Sequence, residues 1–92
     1  MAEFLHREVD VGPEDVLEVT LDHPANVLLL DQVNYDLYRR RQPYKYIYGG
    51  YVTQSPFRIR PPFKGQWHVV VDLGGGPGTV TAMLSTSGSF SP

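Results

Sequence analysis

The run Gly65-Gln66-Trp67-His68-Val69-Val70-Val71-Asp72-Leu73-Gly74 limits what this chain can become more than any other stretch. Valine and tryptophan favour a pleated, half-buried backbone, and a glycine stands at each end. Side chains alternate across a strand, so Trp67, Val69, Val71 and Leu73 share one face while His68, Val70 and Asp72 share the other. The first set holds the only Trp of the sequence and predicts one wall of an apolar core. A chain of 92 residues supplies one such core, not two. A domain of this size buries roughly 60–65% of its unfolded surface, a thin but adequate margin.

The remaining pattern is mostly of period two. Glu3 to Val9 predicts a first strand, ended by the turn cluster Gly12-Pro13-Glu14-Asp15. Asp15 to Leu21 follows, with Leu17, Val19 and Leu21 on one face, and Asp22-His23-Pro24 turns the chain. Ala25 to Asp31 predicts a third strand, apolar on both faces from Val27 to Leu30, hence central or covered. Spacings of three and four among Val33, Leu37 and Arg40, or Asn34, Leu37 and Tyr38, predict one or two helical turns. Asp31 would cap that helix and Pro43 would stop it, leaving it to close one end of the fold.

Alternation returns at Tyr44 to Tyr48, with Tyr44, Tyr46 and Tyr48 on one side and Lys45 and Ile47 on the other. Gly49-Gly50 breaks the run, and Tyr51 to Thr53 resumes it. Phe57 and Ile59 face a core while Arg58 and Arg60 face water, before Pro61-Pro62 ends that strand. Gly74 to Gly78 predicts a turn, Thr79 to Leu84 a returning strand, and Ser85 to Pro92 a flexible Ser/Gly-rich tail. Residues 1–84 are expected to form the single domain and 85–92 its tail. Seven or eight short strands with at most one short helix predict an all-β fold: an antiparallel β-sandwich of jelly-roll or CUB-like type.

Composition narrows function mainly by exclusion. There is no cysteine, hence no disulfide, thiolate metal site or cysteine nucleophile. The start carries charge where a signal peptide needs an apolar segment, and no apolar run approaches the roughly 20 residues of a membrane helix. A cytoplasmic protein without a membrane partner is expected. The net charge of −2 hides an asymmetry: residues 1–36 hold nine acids against Arg7, and residues 37–71 hold seven bases and no acid. Acidic strands laid beside basic ones would interleave that charge; otherwise a basic patch results.

Candidate chemistry is sparse. His68 and Asp72, four apart on one strand, would be about 13 Å apart, too far for an acid–base pair. His6, His23 and His68 lack metal-ligand spacing, and His68 reads as a half-buried strand residue. The glycines from Gly74 precede a strand, not a helix, so they do not match a phosphate cradle. No serine lies in a nucleophile elbow. Neither an enzyme nor a cofactor or metal is expected.

One constellation does stand out. All six tyrosines fall between Tyr35 and Tyr51, interleaved with arginines and Lys45. Tyr35, Tyr38, Arg39, Arg40, Arg41, Tyr44, Tyr46 and Tyr48 are the candidate binding residues, since tyrosine offers contact area at low entropy cost and arginine forks onto anions. The competing expectation packs Tyr44, Tyr46 and Tyr48 inward. A protein or anionic partner suits the pattern, and sugars or nucleotides stacking on the tyrosines are the alternative. A sequence pI of about 5.8 counts against nucleic acid. Pairing of acidic with basic strands would instead give a homodimer.

Ala25-Asn26-Val27, Leu30-Asp31, Asn34-Tyr35, Tyr38, Tyr48-Gly49-Gly50, Ser55-Pro56 and the Gly65–Gly75 run together resemble the bacterial domain of unknown function 1883. The likeness extends from Phe4-Leu5-His6 to about Leu84. It implies a compact all-β fold with no assigned activity. Similar domains precede signalling TIR domains, which implies a recognition or scaffold role.

Overall fold

The computed structural model describes residues 4–74, 78 and 80–88 of the chain. Among them the elements run β1 Phe4–Val11, β2 Asp15–Leu21, β3 Ala25–Leu30, α1 Gln32–Arg39, β4 Tyr48–Val52, β5 Phe57–Ile59, β6 Gly65–Asp72 and β7 Ala82–Gly88. They build two antiparallel sheets, a larger one ordered β1-β6-β3-β4 and a smaller one ordered β5-β2-β7. The expected all-β sandwich with one short helix is what forms.

β6 and β3 hold the two inner positions of the larger sheet. That position explains why β3 is apolar on both faces and why β6 is buried on both from Trp67 to Val71, His68 included. Toward the smaller sheet, Val27, Leu29, Trp67, Val69 and Val71 pack with Leu17, Val19 and Ile59. Trp67 is fully enclosed, and its Nε1 donates to the Phe63 carbonyl at 3.0 Å. The indole therefore brings its full apolar area inside without an unmet donor.

On the other side of the same sheet, Leu28, Leu30 and Val70 form a second cluster, closed by Phe4 and by Tyr35 and Tyr38 of α1. The helix thus covers a face instead of closing an end. Three aliphatic side chains would otherwise meet water there, and the segment leaving β3 is the nearest cover. Asp31 caps the helix as expected, its Oδ1 accepting from the Asn34 amide at 2.8 Å. Pro43 is not what ends it. Arg41 N–H donates to the Tyr38 carbonyl at 3.0 Å and Gln42 N–H to the Leu37 carbonyl at 2.9 Å, with Arg41 at φ 60°. That left-handed residue turns the chain before the proline is reached.

Three strand expectations are corrected. Residues 42–47 are not a strand, and β4 starts only at Tyr48. The partner is the reason: β4 pairs with β3 from Leu29↔Tyr48 to Ala25↔Val52, and β3 gives way to α1 just beyond, leaving no ladder for Tyr44 to Tyr46. Gly49 and Gly50 lie inside β4, not at a break. A Cβ on Gly49, at φ 151°, would sit 2.3 Å from the Val27 carbonyl oxygen, so close strand approach requires the glycine there.

At the other end, β7 begins at Ala82, not Thr79, and runs through Ser85–Gly88, past the boundary set at Leu84. β2 is the cause, since its whole length, Asp15 to Leu21, pairs with β7. A completed backbone ladder tolerates Ser and Gly. Residues 75–77 and 79, in the expected glycine turn, and 89–92, in the expected tail, lie outside the described residues.

Candidate functional site

The eight candidate residues separate into two groups. Tyr35 and Tyr38 point from α1 onto the larger sheet, where the Phe4 ring meets both edge-on, at 6.5 and 5.0 Å between centroids. They are anchors. Arg39, Arg40, Arg41, Tyr44, Tyr46 and Tyr48 are exposed, and the inward-facing row of Tyr44, Tyr46 and Tyr48 is not formed. Tyr46 and Tyr48 keep 49% and 46% of their surface in water, and Tyr51, Ile47 and Val33 are exposed as well.

The segment bearing these rings is held at several points. Lys45 N–H donates to Asn34 Oδ1 at 2.9 Å, and Ile47 N–H donates to the Leu29 carbonyl at 2.9 Å. Tyr44 meets the Tyr38 ring edge-on at 5.2 Å. Arg39 is bound to Asp36 at 3.2 Å, and its guanidinium stands 5.9 Å from the Tyr35 ring centre. No such ion pair involves Arg40 or Arg41 among the described residues. Interleaving of charge does occur elsewhere, at Glu18–Arg58 across β2 and β5, 2.9 Å apart.

Asp72 ties helix to sheet. Its Oδ2 accepts from the Tyr38 hydroxyl, and its Oδ1 accepts from Asn26 Nδ2 at 3.0 Å and from Gly74 N–H at 2.8 Å. Burial, then the adjoining Asp72 carboxylate, push the Tyr38 phenol far above its ordinary range, so it remains a donor. Burial also raises Tyr44.

Sequence spacing missed a second cluster. His6 of β1 and His68 of β6 are 62 positions apart, yet His6 Nε2 lies 2.7 Å from His68 Nδ1. The register brings them together, because Glu8 faces His68 and His6 faces Val70, which makes the histidines diagonal neighbours. His68 is only 2% exposed, fully buried and not half-buried as expected. Gln32 settles its tautomer: the amide nitrogen donates to Asp36 at 3.2 Å, leaving the amide oxygen to accept from His68 Nε2 at 2.8 Å. Nδ1 of His68 is then an acceptor, and His6 Nε2 is the donor to it. Burial lowers both imidazoles below the usual 6.5; the neighbouring His68 and Arg39 lower His6 further, while Glu8 opposes the shift in both rings.

Among the described residues, no group of three or more His, Cys, Asp or Glu side chains is placed to hold a metal ion. No described helix is long and apolar enough to cross a membrane. In comparison with known proteins, the family model described as Domain of unknown function (DUF1883) matches residues 2–87, nearly the whole chain. Neither a curated protein nor a solved structure matches.

Proposed function

We propose that this chain, which belongs to the DUF1883 family, is a non-enzymatic recognition module whose Tyr/Arg-rich surface contacts a protein or anionic partner. One observation carries this reading: the rings of Tyr46, Tyr48 and Tyr51 stay largely in water although the backbone of this segment is pinned to Asn34 and Leu29. Rings held outward on a fixed backbone lose little entropy when a partner covers them. Arg40 and Arg41, at the end of the helix that anchors this segment, add positive charge.

The test is titration with a labelled poly-glutamate peptide at low and high salt, using the native chain and the double variant Arg40→Ala, Arg41→Ala. Binding that weakens about tenfold in the variant, and again as salt screens the charges, supports the reading. Affinity indifferent to both changes refutes it. Parallel titrations with sugars and nucleotides address the alternative in which the tyrosines act as stacking platforms.

A further inference from the structure

His6 and His68 have ring centroids 4.9 Å apart and planes within 15°, with the facing nitrogens 2.7 Å apart. Those values describe two coplanar imidazoles meeting edge to edge. Tyr35 lies flat over both, 4.1 Å from His6 and 4.3 Å from His68, its plane tilted by only 11° and 4°. We propose that this roofed pair is a proton-counting latch: it stays closed when one proton is added and opens when a second is, freeing His6 from beneath Tyr35 and loosening α1. The latch does not depend on the binding reading given above.

The count follows from donors and acceptors. In the neutral pair, His6 Nε2–H fills His68 Nδ1, and His68 Nε2–H fills Gln32 Oε1. One further proton fits on His6 Nδ1 without disturbing either bond, and the resulting imidazolium lies under an aromatic face that attracts cations. A second proton has only His68 Nδ1 to go to. Two N–H groups and two like charges would then confront each other across a gap that suits a hydrogen bond.

Every neighbour bears on that outcome. Glu8 of β1, whose carboxylate is 4.0 Å from His68 Nε2, and Asp31 and Asp36 of α1 favour positive charge; Arg39 opposes it. Leu28, Leu30 and Val70, on the sheet face that Tyr35 covers, supply a medium that disfavours ions. The lowered pKa values of both rings agree with a closed neutral pair. His6 is the member able to leave, because β1 is an edge strand and its side chain can swing into water without breaking a ladder bond.

α1 is the element that responds. It has eight residues, none fully buried, and a helix so short does not persist when undocked. Tyr35 loses its stacking on the His6 ring when His6 leaves. What remains is the packing of Tyr35 and Tyr38 on Phe4, Leu28, Leu30 and Val70, with Tyr38 on Asp72 and Gln32 on His68.

The test is a titration of the full chain from about pH 8 to about pH 4, following imidazole nitrogens by ¹⁵N NMR and the protection factors of the Tyr35 and Arg40 amides by hydrogen exchange. Two separated steps are expected for the His6 and His68 rings, with α1 protection unchanged through the first and falling about tenfold or more through the second. His6→Gln can still donate to His68 Nδ1 but cannot be charged, so it should abolish the late loss. Tyr35→Leu should bring the two steps closer together. Coincident titration of both histidines with α1 unmoved, or an undiminished late loss in His6→Gln, overturns the proposal.

Discussion

Gly49 and Gly50 are adjacent and identical in composition, yet they carry different constraints. Both hold positive φ, at 151° and 138°, but a Cβ collides with the Val27 carbonyl oxygen at Gly49 and meets nothing within 4 Å at Gly50. Gly49→Ala should therefore cost about 3 kcal/mol or more and Gly50→Ala about 1–2 kcal/mol, read from urea midpoints. Equal losses would count against the close strand approach. Tyr38→Phe removes one donor from Asp72 and leaves the Asn26 and Gly74 donors in place. A loss of about 1–2 kcal/mol in the same assay is expected. Neither consequence was legible beforehand, since a Gly-Gly pair reads equally as a turn or a strand contact. Asp72 and Tyr38 are joined by topology alone.

Among the elements, α1 gives the cleanest test of local reasoning. Asp31 accepts from both the backbone amide and the side-chain amide of Asn34, at 2.8 and 2.9 Å. Asp31→Ala should cost about 1 kcal/mol, and hydrogen exchange should report faster opening in α1 than in β3 or β6. The cap, the helix and the two-faced strand before it were readable because each depends on neighbours in sequence. Trp67 and its flanking valines were readable for the same reason, alternation being a property of one strand. Tyr44 to Tyr48 misled because perfect alternation says nothing about whether a partner strand exists opposite. The boundary at Leu84 missed β7 because ladder pairing with β2, not side-chain polarity, decided where that strand ran. His6 and His68 escaped notice since only the β1–β6 register makes them neighbours. Of the candidate binding residues, spacing located the exposed arginines and tyrosines together, but not that Tyr35 and Tyr38 serve as anchors.

For the whole molecule, both imidazoles have folded-state pKa values below the 6.5 of an unperturbed ring. The unfolded chain therefore takes up more protons as pH falls through that value. The stability these groups contribute is present above about pH 6.5 and is lost progressively below it, toward their folded-state values. Thermal midpoints should drop between pH 7.5 and pH 5 by more in the native chain than in His6→Gln, an ordering that a purely carboxylate-driven acid effect would not produce. One last consequence comes from the route of the chain. Every connection except β3 to β4 carries it from one sheet to the other, so each sheet is gathered from distant parts of the sequence. Cut anywhere in its middle, the polypeptide would yield two fragments, neither owning a complete layer, and assembly has to be a slow, single cooperative event in which early segments wait for late ones.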